Sequence, residues 1–523
     1  MPIITIDGKE IDARASDTII TAAAGAGIEI PHFCYHPELQ YAGSCRMCMV
    51  EVEKSPKLLT ACTTMVADGM VVRTGTPKVK KAREAVLEFL LLNHPLDCPI
   101  CDKAGECPLQ NNYFKYSAKD SRFSEIKWRK NKRVDLGPTI VHDQERCILC
   151  TRCVRFMDGY AKSPQLVVAR RGSKNTLTTY PGAPLDSPYS LNTVDICPVG
   201  ALTSKDFRFR CRTWFLKSAK SICPFCATGC GTIVQYKDDV IYRVLPAGPK
   251  DINGVFMCDQ GRLGYAAINS AKRVKIPSFA ESKNARRYME TTYEKAFAAV
   301  ARNVKAAIGN KGAAAVAAVV SPYLSLEEAF LVLRWLSEAG HSNVALLDYT
   351  EGFDDFKCSD DILISKDKSP NRNGILEIMN RLSGSFVPFD SIAKGVAAAR
   401  IESLLFFGPS GGCSPFFERH RETFEKCRFT ASLTTHFENI AEVSDVAIPF
   451  LMWAESSGRF VNARGTIQKY SPVIKPANGE IMNNIEAIEG LLTTLGHKTH
   501  HSSPNSVFEQ MIGKYKDIFS PRP

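Results

Sequence analysis

Arg146-Cys147-Ile148-Leu149-Cys150-Thr151-Arg152-Cys153-Val154-Arg155-Phe156, answered after a 43-residue interval by Cys197-Pro198-Val199-Gly200-Ala201, is the stretch on which the reading of this chain turns. Three thiols on one short loop, with a distant fourth before a proline, form the ligand pattern of a cubane 4Fe-4S cluster. In two-cluster ferredoxins the cysteine of the Cys-Pro pair serves the other cluster. This chain has no second Cys-x2-Cys-x2-Cys run, so Cys197 most simply completes the triplet. Cys211 fits no set and reads as a buried thiol.

Working towards the N-terminus, residues 3–6 and 9–13 around Asp7-Gly8 predict a hairpin, followed by a helix capped by Ser16 or Asp17 and stopped at Gly27. Next comes Cys34-x10-Cys45-x2-Cys48-x13-Cys62. Gly43-Ser44 suits a loop whose amides turn inward to sulfur, and a strand over 49–53 leaves it. Hairpin, helix and ligand loop together predict a 2Fe-2S ferredoxin domain, although the spacing differs from the plant-type run. A helix over 78–93, with Val79, Ala82, Val86 and Phe89-Leu90 on its apolar face, delivers His94-x3-Cys98-x2-Cys101-x5-Cys107. Four such ligands in fourteen residues suit a 4Fe-4S cluster and a tetrahedral zinc site equally. With iron, an imidazole in place of a thiolate makes the cluster less negative and tends to raise its potential. Residues 113–138 read as a polar, basic connector with no chemistry of its own.

Towards the C-terminus, Cys223-x2-Cys226-x3-Cys230-x27-Cys258 repeats the theme, again with zinc as the rival metal. A strand pair over 232–236 and 240–245, turning at Asp238-Asp239, makes this a small β-domain. From about Ser270 the texture changes. Helices over 293–308 and 326–339 alternate with apolar strands over 313–320, 343–348, 403–408 and 429–434, which predicts a layered α/β domain with a parallel sheet. No Walker loop occurs and no Gly-x-Gly-x-x-Gly follows a strand, and Gly408-Pro409-Ser410-Gly411-Gly412 reads as a plain turn.

At 523 residues the chain exceeds one core, and roughly three to five domains are expected. Hydrophobic residues at 45% and charged residues at 23% mark a globular rather than a disordered chain. No apolar run approaches the roughly 18 residues of a spanning helix, so a membrane role calls for a partner. The opening residues enter a strand at once, without a leader pattern, which predicts a cytoplasmic chain. There, nineteen cysteines are read as metal ligands or redox groups before disulfides. The net charge of +11 gathers at 127–133, Arg170-Arg171, and Arg208, Arg210 and Arg212. Solvated faces, or cations near anionic cluster thiolates, account for these runs. They lack the interleaved aromatics of a nucleic-acid reader, so no nucleic acid is expected as a partner.

His94-Pro95-Leu96-Asp97-Cys98-Pro99-Ile100-Cys101, the stretch 146–156, and Asp195-Ile196-Cys197-Pro198-Val199-Gly200-Ala201-Leu202-Thr203-Ser204 resemble the large iron-sulfur subunit family (the G subunit, 75-kDa type) of bacterial NADH-quinone oxidoreductase, respiratory complex I. The resemblance covers residues 1 to about 265. Ser444-Asp445-Val446-Ala447-Ile448-Pro449 and Glu455-Ser456-Ser457-Gly458-Arg459-Phe460-Val461-Asn462 resemble the molybdopterin oxidoreductase superfamily. Against that superfamily, Gly465-Thr466 replaces the usual Gly-Arg, Cys358 is a poor metal ligand, and the sequence stops near where a terminal β-domain that grips the pterin begins.

The resemblance implies a multidomain chain, α+β and then α/β: a 2Fe-2S ferredoxin-type domain (1–78), a His/Cys-ligated 4Fe-4S module (79–118), a 4Fe-4S ferredoxin-like module (135–217), a molybdopterin-oxidoreductase-type 4Fe-4S domain (218–274) and a degenerate α/β domain (275–523). It implies one 2Fe-2S cluster on Cys34, Cys45, Cys48 and Cys62. Three 4Fe-4S clusters follow, on His94, Cys98, Cys101 and Cys107, on Cys147, Cys150, Cys153 and Cys197, and on Cys223, Cys226, Cys230 and Cys258. No molybdopterin and no substrate site are expected. The implied function is relay of electrons from the FMN of the NADH dehydrogenase module towards quinone, coupled in the holoenzyme to proton translocation. Implied partners are the FMN- and NADH-binding and other peripheral-arm subunits, the quinone-proximal iron-sulfur subunits and, indirectly, the membrane arm, on the cytoplasmic side of the cell membrane. The alternative is the alpha subunit of an NAD-dependent molybdenum or tungsten formate dehydrogenase. A zinc-stapled scaffold is a further reading, and an iron-only hydrogenase fails because only Cys358, Cys413 and Cys427 follow Cys258.

Overall fold

Asp7 and Gly8 both sit at positive φ (49° and 84°), the pair of left-handed conformations that a tight two-residue turn requires, and they join antiparallel strands Ile3–Ile6 and Lys9–Asp12. The computed structural model describes residues 1–117, 120–282, 285–347, 359–410, 414–476, 481–497 and 503–515. It divides into two compact units, Met1–Leu216 and Lys217–Pro523.

In the first unit the hairpin extends to a five-stranded sheet in the order Lys9–Asp12, Ile3–Ile6, Val71–Arg73, Met49–Val52, Leu59–Thr60. Helix Ile19–Gly25 covers it, packing Ile19, Ile20 and Ala23 with Ile4, Ile6 and Val50. Its cap is Thr18, without a side-chain bond, rather than Ser16 or Asp17; the Asp17 carboxylate instead accepts from the Arg14 amide at 3.0 Å.

Helix Pro77–Leu91 has Thr76 as cap and Pro77 at its first position. Its buried face is Val79, Arg83 and Leu87, whereas Phe89 is 75% exposed, so the apolar stripe expected from sequence is rotated. Arg83 is the cause: its guanidinium donates to the Met49 carbonyl at 3.3 Å and lies over the Tyr116 ring, which draws that side inward. At the other end Lys127, within the supposed connector, donates to the Leu91 and Leu92 carbonyls at 2.7 and 2.9 Å, where the helix dipole favours a cation. A three-stranded sheet in the order Leu202–Ser204, Ile140–His142, Val134–Asp135 then lays the chain after Cys197 beside the chain before Cys147. Hairpin Leu166–Ala169 and Thr176–Thr179 stands out from the interval between them.

The second unit opens with antiparallel strands Lys217–Ile222, Gly231–Lys237 and Val240–Pro246, the last two turning at Asp238 and Asp239 (φ 49° and 57°). A seven-stranded sheet follows, in the order Ala285–Glu290, Ser278–Ser282, Val446–Pro449, Phe429–Thr434, Ser403–Phe407, Val316–Val320, Asn343–Leu346. The last five strands are parallel, as the alternation of helix and apolar strand predicts. The first two form an antiparallel hairpin added at one edge. Val316–Val320 is buried at every residue because both faces are covered. Val316, Ala318 and Val320 pack with helices Tyr293–Lys311 and Leu326–Glu338, while Ala317 and Val319 pack with Phe389, Phe417 and Phe424. The strand expected from 313 starts at Val316, since Ala313–Ala315 form a 3-10 turn. Asp348, Cys358, Gly411, Gly412 and Cys413 lie outside the described residues. Among the described residues no helix is long and apolar enough to cross a membrane.

Candidate metal centres

Leu149 and Thr151 take positive φ (53° and 59°), which coils the ligand loop tightly ahead of helix Arg152–Arg155. Cys147, Cys150, Cys153 and Cys197 line one cavity, closed by Val199, Ala201 and Leu202. Burial, reinforced by the other thiols of the set, pushes Cys147 up to about 11, Cys150 up to about 12, and Cys153 well above the thiol range.

In the first set Cys34, Cys48 and Cys62 are buried and Cys45 is half-buried. The Phe33 and Cys34 amides each donate to Cys45 Sγ at 3.4 Å, so the donors to this sulfur come from the stretch around Cys34 rather than from the turn at Gly43-Ser44. The thiols also bond one another. Hydrogen bonds from Cys45 and Cys62 draw Cys34 down, those to Cys34 drive Cys45 and Cys62 up, and one from Cys62 lowers Cys48.

In the second set Cys101 and Cys107 are buried and Cys98 is exposed. Cys107 caps helix Pro108–Tyr116, and burial raises both Cys101 and Cys107. Burial, with the charges of Arg146 and Lys127, holds the His94 imidazole down to about 4, in the neutral form that ligates metals. Arg146 joins this loop to the Cys147 loop, pairing with Asp97 at 3.0 Å and Asp143 at 3.2 Å, and Lys132 reaches both Asp97 and Glu145.

The fourth set, Cys223, Cys226, Cys230 and Cys258, is wholly buried. The Cys223 amide donates to the Cys230 carbonyl at 2.8 Å, and Cys258 Sγ accepts from Gly261 at the start of helix Asp259–Leu263. Burial and neighbouring thiols push Cys258 up to about 12 and raise Cys223 and Cys230 well above the ordinary thiol range. The loop between Cys226 and Cys230 is held from the α/β domain: Ala463 donates to the Ala227 carbonyl at 2.7 Å and Gln468 to the Gly229 carbonyl at 2.8 Å. The Glu455 to Asn462 motif is structural here, with Glu455 in a buried pair with Arg273 at 2.6 Å and Arg459 paired with Glu327. Cys211 is half-buried rather than buried, and Cys427 donates to the Phe429 carbonyl at 3.4 Å.

Among the described residues no three His, Cys, Asp or Glu side chains are spaced to grip a single metal ion. The donor chemistry nevertheless fits iron-sulfur groups. In the third and fourth sets the buried thiols that are hard to ionise become thiolates only when cationic metal compensates them, and in every set sulfur is the donor such groups take. Three of the sets also adjoin. Arg152 donates to the Ile196 carbonyl at 3.1 Å and to the Tyr35 carbonyl, and Arg155 donates to the Cys34 and Cys150 carbonyls, so the first set meets the third. Cys107 Sγ donates to the Pro198 carbonyl at 3.7 Å, and a Cβ on Gly200 would stand 2.2 Å from Cys101 Sγ, so the third meets the second. Sequence reading passed over these arginines; their signal was charge in and beside the ligand loop, Arg152 between Cys150 and Cys153 and Arg155 two residues beyond Cys153.

Four family models match the chain in order: the 2Fe-2S iron-sulfur cluster binding domain (3–77), the NADH-ubiquinone oxidoreductase-G iron-sulfur binding region (83–122), the NADH-quinone oxidoreductase subunit 3 ferredoxin-like domain (137–203) and the molybdopterin oxidoreductase Fe4S4 domain (216–270). With the cysteine geometry, they define an iron-sulfur protein that carries both 2Fe-2S and 4Fe-4S binding domains. More particularly, the chain is a homologue of the G subunits of NADH-quinone oxidoreductase. It is 40% identical to that of Rickettsia felis over 351 residues, 67% of this chain and 51% of the relative. It is 41% identical to the NADH-ubiquinone oxidoreductase 75 kDa subunit of Reclinomonas americana over 343 residues, 66% of this chain and 48% of the relative. The chain thus spans about half the length of the curated relatives it matches. An NAD+-reducing NiFe-hydrogenase in the H2-reduced state is similar at 31% identity over 40% of this chain and 90% of that chain, with a TM-score of 0.36.

Proposed function

We propose that this chain is an iron-sulfur electron-transfer subunit of NADH:quinone oxidoreductase, carrying electrons from the flavin-bearing NADH dehydrogenase subunits towards the quinone-proximal iron-sulfur subunits. Its location in this reading is peripheral, on the cytoplasmic side of the membrane. One 2Fe-2S cluster sits on Cys34, Cys45, Cys48 and Cys62. One 4Fe-4S cluster sits on each of His94/Cys98/Cys101/Cys107, Cys147/Cys150/Cys153/Cys197 and Cys223/Cys226/Cys230/Cys258. When bound, these groups supply one-electron carriers; the chain holds them, keeps water out and sets the charge around them.

The observation that carries the reading is the contact series in the first unit. Arg152 and Arg155 tie the Cys34 loop to the Cys147 loop, and the Pro198 to Gly200 turn ties the Cys147 set to Cys101 and Cys107. Sites in series through shared residues suit a relay. The degenerate α/β domain serves docking and support, with no molybdopterin.

The test is elemental analysis and electron paramagnetic resonance of the full chain purified without oxygen. About fourteen irons, matching sulfide and near-zero zinc are expected. Stoichiometric zinc with fewer than three resonance signals overturns the reading. Stoichiometric molybdenum, or formate-dependent dye reduction, replaces it with a formate dehydrogenase subunit.

A further inference from the structure

Arg152 is 9% exposed, and among the described residues no carboxylate pairs with it. One terminal nitrogen donates to the carbonyl of Ile196, the residue before Cys197; the other donates to the carbonyl of Tyr35, the residue after Cys34. Its Nε is buried without a partner. Carbonyl dipoles alone are poor compensation for a guanidinium removed from water. The guanidinium therefore sits between the backbone that carries Cys197 on one side and the backbone that carries Cys34 on the other, within its own Cys147 to Cys153 loop. Arg155 touches the same two loops but is half-exposed, so water screens it.

We propose that Arg152 is the shared counter-charge of the first and third ligand sets, a positioning residue that makes both sites easier to reduce through one guanidinium lying between Cys34 and Cys197. This rests on the electron-transfer reading above. A site that accepts one electron gains one unit of negative charge, and a fixed cation favours that form. At an effective dielectric near 20, a unit charge roughly 10 Å from a site changes its one-electron equilibrium by about ten- to twentyfold. Because the same cation serves both sites, their potentials are raised together and the step between them is left nearly unchanged by it.

The test is redox titration of the full chain, loaded with iron and sulfide, followed by electron paramagnetic resonance at temperatures that separate 2Fe-2S from 4Fe-4S signals. Arg152→Gln is expected to lower the reduction constants of both the Cys34 and the Cys147 sites at least about tenfold, a fall of about 59 mV in each midpoint. Unchanged midpoints, or a shift confined to one site, overturn the proposal while leaving the electron-transfer reading intact. A wild-type chain that shows no cluster signals at all overturns both. Where Arg152→Gln does not hold the clusters, Arg152→Lys carries the test. With charge retained, both midpoints are expected within about twofold of wild type in reduction constant, and a tenfold fall at either site overturns the proposal.

Discussion

Gly200→Ala probes whether the second and third ligand sets touch as closely as the turn after Cys197 places them. A Cβ at this position would stand 2.2 Å from Cys101 Sγ and 3.3 Å from Lys103 Cβ. Carbon and sulfur in ordinary contact lie about 3.5–4 Å apart, so the sulfur must retreat by roughly 1.5 Å. A free thiol turns aside at little cost, whereas a metal ligand is held to within roughly 0.2 Å. Gly200 lies outside the left-handed region, so the penalty comes from the contact and not from backbone strain. Overpacking of this kind costs roughly 1–3 kcal/mol, which lowers metal affinity by about five- to 150-fold. The expected outcome is loss of about four irons per chain and of one low-temperature resonance signal, with the 2Fe-2S signal retained. Adding Cys101→Ala to Gly200→Ala is expected to remove no further iron, because both changes act on one site. Full iron content and all signals in Gly200→Ala would refute the reasoning: Cys101 would then not be a fixed ligand.

Cys150→Ala is expected to abolish NADH-to-quinone electron flow in the assembled complex while flavin-level NADH-to-ferricyanide activity survives. Cys226→Ala is expected instead to weaken folding and assembly, since its loop ties the small β-domain to Asp367, Ala463 and Gln468, and assembled complex is expected to reduce quinone near normally per flavin. Complete loss of quinone reduction in fully assembled Cys226→Ala places the fourth site on the main path. Glu455→Ala leaves Arg273 buried without its carboxylate and is expected to destabilise the chain by roughly 3–5 kcal/mol in urea unfolding; a change under about 1 kcal/mol contradicts the pair's role. Burial raises the Glu328 carboxyl from 4.5 to about 7. The folded state then binds the extra proton between these values, so stability is expected to fall by about 3 kcal/mol as pH rises from 4.5 through 7. Glu328→Gln is expected to flatten that slope, as read from unfolding midpoints across the range.

What could be read without the structure was local. The Cys147, Cys150 and Cys153 triplet is a short-range pattern whose spacing alone puts three thiols on one loop, whereas Cys197 joins them only through the sheet that pairs 202–204 with 140–142. The strands 403–407 and 429–434 announce themselves as apolar runs because both faces of a parallel sheet are covered. Long-range compensation was not legible. Arg83 outweighs Phe89 on its helix because a carbonyl on another strand receives it, and nothing nearby in sequence marks Met49 as that acceptor. Lys127 and Lys132 looked like ordinary solvated charge until the Leu91 carbonyl and the Asp97 carboxylate were placed beside them. The edge hairpin at 278–290 lacks a clean alternation and takes its place by pairing with Val446 and Ala447, a partner over 150 residues away. Arg152 was read as one letter of a motif; its partners at Tyr35 and Ile196 lie 117 and 44 residues distant.

The hairpin between Cys153 and Cys197 has a bearing on protein engineering. Its tip, residues 170–174, is exposed, and Arg170 and Gly172 hold the turn at positive φ (67° and 60°). Lengthening a flexible loop costs only about 0.6 kcal/mol for each doubling, so this excursion tolerates gain or loss of length far better than the clamped turn at 197–201 does. A fluorescent reporter or affinity tag spliced in at the tip leaves both anchoring ends in register, giving a handle for imaging or purification that the chain's own termini need not supply.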